Sequence, residues 1–150
     1  METINKELAS IFRDLAAIYS FDDGGNPFRA NAYEQASFFL KGFNKDIQQY
    51  SVPEMEELEG IGKSIALKIQ EYIDTGKIKK YEEMKEKYPL EFIRLSFIGG
   101  IGSKTLKKIY DEYDLKSKAE LIEALQDGRI EKMDGFGAKK VSGLLDRLTR

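Results

Sequence analysis

The stretch LEGIGKSIALKIQEYI, residues 58–73, places two glycines on either side of one isoleucine and then continues as an amphipathic segment. The pattern returns twice, in IGGIGSKTLKKIYDEY (98–113) and MDGFGAKKVSGLLDRL (133–148), and the three segments align without gaps. A single glycine–apolar–glycine turn is weak evidence, because such turns join helices in many proteins. Three of them, each followed by lysines and by apolar residues at helical spacing, predict three repeated turn-and-helix units.

The residue types in these turns suggest what the turns do. Glycine tolerates positive φ and, because it lacks a Cβ, lets main-chain N–H groups approach a ligand closely. Those N–H groups begin the next helix, where free donors and the helix dipole favour an anion. The apolar residue between the glycines is predicted to turn inward and fasten the turn to the core. We therefore expect each turn to bind a phosphate without reading a base.

Helical spacing of apolar residues extends over most of the chain. In the first segment they stand at Ile4, Leu8, Ile11, Phe12, Leu15 and Ile18. A second helix is predicted over 28–41, with Tyr33, Ala36, Phe39 and Leu40 facing inward, and a short one over 53–58. No run of five or more residues alternates as a strand does. The sequence predicts an all-α fold.

The burial of three phenylalanines in the second predicted helix can also be predicted. Phe38 and Phe39 are expected in the core. Phe28, next to the Asn26-Pro27 turn, is also expected to pack in the core, and stacking on a nucleic-acid base is the alternative.

Composition excludes several classes of function. The chain has 150 residues, of which 41% are apolar, and this is enough for one compact domain or two small ones. It has no cysteine and no histidine, so it lacks thiol chemistry and the commonest general base. The N-terminus does not resemble a signal peptide, and no apolar run approaches the roughly 18 residues of a membrane span. An intracellular protein without a membrane partner is therefore expected.

The charge is unevenly distributed along the sequence. The net charge of −2 by itself argues against nucleic acid. Residues 1–58 carry 5 basic and 10 acidic side chains, whereas residues 59–150 carry 19 basic and 16 acidic ones. The basic residues therefore concentrate where the glycine turns lie. Because a turn that binds phosphate through main-chain N–H groups needs little net positive charge, the overall charge is compatible with phosphate binding.

The three repeats resemble helix-hairpin-helix motifs. Their order, with NPFRANAYEQASFFLKGF (26–43) upstream and TGKIKKYEEM (75–84) after the first repeat, closely resembles the N-terminal part of family X DNA polymerases, the DNA polymerase beta family. The resemblance is nearest to bacterial and archaeal members and runs from about residue 3 to 148. It implies a lyase-type helical domain over 1–84 and a second helical subdomain, with two further motifs, over 85–150.

The resemblance implies a module that grips gapped, nicked or ended DNA in base excision or gap repair, as a monomer in a prokaryotic cytoplasm or nucleoid. In the family, the polymerase palm follows this region, and no Asp-x-Asp pair occurs in this chain. The histidine-rich phosphoesterase domain of many bacterial members is also incompatible with a chain that has no histidine. Polymerase and nuclease activities are not expected here. The sequence is equally consistent with a piece of a longer protein, in which the polymerase core would be a partner, and with a stand-alone version.

The resemblance gives one lysine a chemical role. In the family's lyase domain, a lysine after the first hairpin attacks the C1′ aldehyde of an abasic sugar and forms a Schiff base, and β-elimination then releases the 5′ sugar phosphate. Lys68 stands at that position. The upstream motif places Tyr33 and Arg29 where the family holds the 5′ phosphate, and Lys63 is a further candidate.

This chain departs from the family around that pocket. Ser64 stands where animal members have a lysine, and the residues before the hairpin include Glu56, Glu57 and Glu59. Fewer cations imply a weaker phosphate pocket and less like-charge lowering of the Lys68 pKa. Lys108 has the same position in the second repeat, where the family has no lyase chemistry. A solvated helix lysine is therefore the alternative interpretation of Lys68, and enzyme activity stays open.

The predicted DNA-binding set combines the turns, the starts of the following helices and two upstream residues: Gly60, Ile61, Gly62, Lys63, Ser64, Gly100, Ile101, Gly102, Ser103, Lys104, Gly135, Gly137, Lys139, Arg29 and Tyr33. No metal site made of side chains and no cofactor is predicted. The resemblance implies that hairpin carbonyls around Ile61 and Ile101 can hold Na⁺ or K⁺. A 5′-deoxyribose-phosphate lyase using Lys68 and a protein-interaction scaffold without DNA binding are the alternative functions.

Overall fold

The computed structural model describes residues 3–22, 27–98 and 101–150. Over these ranges the regular structure is helical and contains no strand, so the all-α prediction is confirmed. The described residues form two compact units. The first comprises residues 3–20 and 27–88, and the second comprises residues 89–98 and 101–150 together with Phe21 and Asp22 at the end of the first helix. None of the helices in the described ranges has the length and apolar character needed to cross a membrane.

The first unit contains α1 (Asn5–Phe21), α2 (Pro27–Gly42), a 3-10 turn (Ile47–Gln49), α3 (Val52–Glu56), α4 (Lys63–Thr75) and α5 (Lys79–Lys87). Its core includes Leu8, Phe12, Leu15 and Ile18 of α1, which are fully buried at the predicted spacing of three and four residues. The side chain of Asn5 is buried with them. Its Nδ2 donates to the Lys45 carbonyl at 2.6 Å, and its Oδ1 accepts from the Ile47 amide at 3.1 Å. Asn5 therefore fixes the segment between α2 and α3 against the start of α1.

The second unit contains α6 (Leu90–Ile93), a 3-10 turn (Arg94–Phe97), α7 (Ser103–Tyr113), α8 (Lys118–Gln126), a 3-10 turn (Ile130–Lys132) and α9 (Ala138–Thr149). Its buried side chains include Phe92, Ile93, Leu106, Ile109, Leu121, Ile130 and Leu144. The last helix, α9, continues through Gly143 to Thr149, although glycine lowers helix propensity. The repeats thus open α4, α7 and α9, as predicted.

The exposed aromatic residues of α2 correct the sequence prediction. Phe28 and Phe38 are 82% and 83% exposed, so their predicted core positions are wrong, and Phe39 is only half-buried. Two residues correspond to about 200° around a helix. Phe38 therefore points away from the face that carries the fully buried Ala36 and Leu40.

Candidate nucleic-acid interface

The three glycine turns share one hydrogen-bond pattern. In each, the amide of the apolar residue donates to the carbonyl three residues earlier: Ile61 to Leu58 at 3.2 Å, Ile101 to Ile98 at 3.2 Å and Phe136 to Met133 at 3.1 Å. In each, the carbonyl of the second glycine accepts the first bond of the next helix: Gly62 from Ala66 at 2.9 Å, Gly102 from Leu106 at 3.1 Å and Gly137 from Val141 at 3.1 Å. The sequence repeat is therefore also a repeat of main-chain geometry.

The apolar residue of each turn is buried, as predicted. Ile61, Ile101 and Phe136 are 4%, 4% and 2% exposed. Each side chain therefore anchors its turn to the core beneath it, and the helix start that follows is held in a fixed position.

The two glycines of a turn differ in backbone conformation. Gly60 and Gly135 have φ of +83° and +86°, the left-handed region that favours glycine. The corresponding Gly100 lies outside the described residues. Gly62, Gly102 and Gly137 instead have φ of −87°, −88° and −76°. Positive φ therefore explains the first glycine of the turn and does not explain the second.

The second glycine is explained by the open space around it. A Cβ placed on Gly62, Gly102 or Gly137 would meet no protein atom within 4 Å, so neither the backbone nor packing within the described residues requires glycine there. Each of these residues is exposed and caps the helix that follows. The absent side chain leaves the first amides of that helix accessible to an external acceptor.

Some other helix starts in the described residues are capped by side chains. Ser51 accepts from the Glu54 amide at 3.3 Å, and the Glu54 carboxylate accepts in return from the Ser51 amide at 2.9 Å. Ser117 and Asp46 accept similarly from the amides of Glu120 and Gln48. At the starts of α4, α7 and α9 there is no side-chain cap. The three hairpin helices thus keep donors that side chains satisfy at those other starts. The N-cap residues of α5 and α6, Ile78 and Pro89, make no side-chain hydrogen bond either, but they do not follow a glycine turn.

The basic residues that follow the turns are accessible. Lys63, Lys104 and Lys139 are exposed, Ser64 is exposed and Ser103 is half-buried. Each lysine lies in the first turn of its helix, close to the uncapped amides. An anion at the helix start would therefore meet main-chain donors together with one nearby ammonium group.

Lys68 lies on α4 in a distinct environment. Its side chain is half-buried, and its Nζ donates to the Ser64 hydroxyl at 3.1 Å and lies 5.9 Å from the centre of the Tyr33 ring. Burial lowers the pKa of the Lys68 amine, the neighbouring Lys80 and Arg29 cations lower it further, and Glu71 opposes them. A larger fraction of this amine is therefore neutral near neutral pH than for a solvated lysine.

The two predicted upstream residues approach Lys68 from α2. Tyr33 is buried and stacks on Tyr19, with ring centres 5.6 Å apart and planes 7° apart, and the Arg29 guanidinium lies 5.3 Å from the centre of the Tyr19 ring. Burial and Tyr19 raise the pKa of Tyr33 to about 12, against the effect of Arg29. Tyr33 is therefore a neutral phenol at neutral pH. The structure places Arg29, Tyr33 and Lys68 in one cluster.

An open depression of about 680 Å³ adjoins Lys68. Its lining includes Lys63, Ser64, Lys68, Glu71, Lys79 and Lys80. Lys79 and Lys80 are functional candidates that the sequence analysis missed, although the run KIKK at 77–80 was visible. They come from α5, which begins after the left-handed Gly76 at the end of α4. The depression is thus lined by basic side chains beyond those predicted. They offset in part the positive charge that Ser64 and the glutamates before the hairpin fail to supply.

Comparison with known proteins agrees with this geometry. Residues 3–78 match the model of the helix-hairpin-helix domain, and residues 92–150 match that of the SAM-like helix-hairpin-helix tandem. The first match covers half of the chain, and the chain belongs to the helix-hairpin-helix family.

Particular relatives extend the comparison. The chain is 30% identical over 132 residues to the DNA polymerase/3′-5′ exonuclease PolX of Bacillus subtilis (strain 168), which covers 88% of this chain and 23% of that protein. It is 30% identical over 131 residues to DNA polymerase lambda of Arabidopsis thaliana, an alignment that covers 83% of this chain and 24% of that protein. It is 27% identical over 131 residues to DNA polymerase lambda of Rattus norvegicus, with 84% of this chain and 21% of that protein covered. The chain thus spans about a quarter of the length of these relatives. The resemblance to the N-terminal region of family X DNA polymerases is confirmed.

Proposed function

We propose that the chain is a sequence-independent DNA-binding module that holds phosphates of gapped, nicked or ended duplex through main-chain amides of its glycine hairpins. The observation that carries this proposal is the set of uncapped helix starts at Gly62, Gly102 and Gly137, each with open space where a Cβ would stand. The relatives named as DNA polymerases support DNA as the source of the phosphates. A role in gap or base excision repair, inside the cell and beside a polymerase core, follows from the same proposal.

In this proposal, DNA phosphates are bound by electrostatic attraction and by correctly placed main-chain donors. Each phosphate accepts hydrogen bonds from the first amides of α4, α7 or α9, and the helix dipole adds a favourable interaction. Lys63, Lys104 and Lys139 supply the nearby positive charge. Carbonyl oxygens around Ile61 and Ile101 would hold a Na⁺ or K⁺ ion, because hard cations prefer oxygen ligands. None of these groups reads a base edge, so affinity depends on backbone and shape.

Fluorescence anisotropy with a labelled gapped duplex tests this proposal. Affinity should fall steeply between low and moderate salt, as in a phosphate-dominated complex. The pair Gly62→Val and Gly102→Val should weaken binding at least about tenfold, because each side chain would occupy the space in front of the amides. Gly42→Val is the matched control, since its added side chain also meets nothing within 4 Å and it lies outside the hairpins.

Two results would count against the proposal. Equal DNA affinity of the double variant and Gly42→Val, with matching helical circular dichroism, would show that the hairpin amides do not bind the DNA phosphates. Absence of binding even at low salt would instead leave the protein-interaction scaffold as the function.

Lys68 supports a second candidate function, a 5′-deoxyribose-phosphate lyase. Its half-buried amine has a lowered pKa and lies near Ser64 and Tyr33. A neutral amine can attack the C1′ aldehyde of an abasic sugar, and loss of water gives the Schiff base. Removal of a C2′ proton and cleavage of the C3′–O bond (β-elimination) then release the 5′ sugar phosphate from the DNA strand. Arg29, Lys79 and Lys80 would balance the charge of that phosphate.

Borohydride trapping on 5′-incised abasic DNA tests the lyase candidate separately. The expected result is a covalent protein–DNA adduct that peptide mass spectrometry assigns to Lys68. If no adduct forms at a protein concentration that saturates the DNA, the lyase candidate is rejected and the DNA-binding proposal is unaffected.

A further inference from the structure

A second depression lies on the first unit, on a different set of residues from the Lys68 depression. It has a volume of about 900 Å³ and is lined by α2, the segment that follows it and the start of the first glycine turn. The residues that matter are Glu34, Phe38, Phe39, Phe43, Glu59 and Gly60. We call this surface the Phe38 groove.

The walls of the Phe38 groove are aromatic. Phe38 is 83% exposed, one of the large apolar side chains that the described residues leave in solvent. Phe39 and Phe43 are half-buried and pack with ring centres 4.8 Å apart, and Phe43 packs edge-on against Tyr50 at 5.7 Å. Phe39 and Phe43 thus form a supported aromatic wall, and Phe38 stands beside it with its ring in water. An exposed aromatic residue next to such a wall is typical of an interaction surface.

The charge of the Phe38 groove is acidic. Glu34 and Glu59 line it, both are exposed, and its described lining includes no lysine or arginine. Glu34 lies four residues before Phe38 and therefore on the same face of α2. The Lys68 depression has the opposite character, since Lys63, Lys68, Lys79 and Lys80 line it. A DNA phosphate would be repelled at the Phe38 groove and attracted at the Lys68 depression.

We propose that the Phe38 groove docks a segment of a partner protein that presents an apolar side chain flanked by lysine or arginine. The apolar side chain would pack on Phe38, Phe39 and Phe43, and the basic side chains would pair with Glu34 and Glu59 at the rim. The groove reaches Gly60, where an added Cβ would meet the Gln35 carbonyl oxygen at 3.4 Å. The lining of the groove does not include Gly62 or Lys63, so the partner would bind next to the first hairpin and not on the start of α4.

Selection from a displayed library of random dodecapeptides tests this proposal with a defined probe. The full chain is immobilised, and selection is repeated on Phe38→Ala and on Glu59→Lys. Enriched peptides should combine aromatic or aliphatic residues with lysine or arginine. Synthetic copies should bind Phe38→Ala and Glu59→Lys at least about tenfold more weakly than the original chain. Phe28→Ala is the matched control, because Phe28 is equally exposed on α2 but does not line the groove.

The alternative occupants give different results, and each would overturn the proposal. Peptides that bind Phe38→Ala as well as the original chain would place the binding surface elsewhere. Enrichment of acidic peptides would contradict the charge argument. Competition of the peptides by single-stranded oligothymidine would show that the groove stacks bases. A dimer in sedimentation that Phe38→Ala dissociates would make a second copy of the chain the occupant. Failure to enrich any peptide over the Phe38→Ala selection would show that the groove binds no polypeptide.

Discussion

Lys68 and Lys108 occupy the same position in the first and second repeats, eight residues after the first glycine, and their surroundings differ. Lys68 is half-buried beside Tyr33, with Lys80 and Arg29 lowering its pKa. Lys108 is exposed in a depression of about 630 Å³ whose lining includes Asp111, Glu112 and Asp134. In the third repeat the position is Gly143, which has no side chain at all.

The difference separates two functions that the repeats share only in part. The main-chain hydrogen bonds that close the turn and open the next helix are common to all three repeats, so the proposed phosphate binding belongs to the repeated main chain. The amine environment belongs to the first repeat, because α2 and α5 supply the groups that surround Lys68. A lysine at this position therefore carries no chemical role by itself. What distinguishes Lys68 is the packing brought to it by elements outside the repeat.

The largest expected effect is on covalent chemistry. Lys68→Ala should reduce borohydride-trapped adduct by more than about 100-fold, because it removes the amine whose pKa burial and neighbouring cations lower. Lys108→Ala should leave the yield within about twofold, since its position lacks the buried environment. Gel analysis of trapped complexes at saturating DNA checks both variants. Similar losses in the two would remove the distinction between the repeats.

A smaller effect is expected on recognition of the 5′ end. Lys80→Ala should weaken binding to a gap with a 5′ phosphate by about tenfold, the loss of one charge-assisted contact. Binding to the same gap with a 5′ hydroxyl should change little. Anisotropy titrations with the two duplexes measure the difference. Lys85→Ala is the control, because Lys85 already pairs with Glu82 at 3.1 Å on the same helix. A loss that is equal for the two duplexes would assign Lys80 to general attraction.

The two glycines of the first turn should differ in their effect on stability. Gly60→Ala forces a side chain into φ +83° and toward the Gln35 carbonyl, and it should lower the free energy of unfolding by about 1–2 kcal/mol. Gly62→Ala has negative φ and open space, so its cost should stay below about 1 kcal/mol. Urea unfolding followed by circular dichroism compares them. Equal costs would contradict the division of roles between the two glycines.

The smallest expected effect is a change in titration. Because the pKa of Lys68 is lowered, its amine loses its proton at a lower pH than a solvated lysine. Adduct yield should therefore rise with pH and level off below the ordinary lysine pKa of 10.5. Lys80→Ala removes a cation and should move this midpoint up, whereas Glu71→Gln removes an anion and should move it down. A midpoint unaffected by either variant would show that these charges do not act on Lys68.

Much of the fold was readable from the sequence because local rules decide it. Helical spacing, the glycine turns and the inward position of Ile61, Ile101 and Phe136 follow from residues close together in the chain. Which of the two glycines has positive φ is not readable from the sequence, because sequence does not distinguish a glycine needed for positive φ from one needed for open space.

The surroundings of Lys68 depend on contacts between segments that are separated in the sequence. Lys80 reaches Lys68 because α5 follows a left-handed turn at Gly76, and a local pattern does not reveal that approach. The exposure of Phe38 has a local cause instead. Ala36 and Leu40 face the core, and Phe38 therefore lies on another face of α2, although its apolar character suggests burial.

The proposed function requires that main-chain amides at the hairpins hold DNA phosphates. Amide proton–nitrogen correlation spectra of the labelled chain, titrated with a gapped duplex, observe these amides themselves. We expect saturable downfield shifts of the amide protons of Gly62, Lys63, Ser64, Gly102, Ser103 and Lys104, with little change at the self-capped start after Ser51. Shifts confined to the lysine side chains, with the hairpin amides unmoved at saturation, would contradict it.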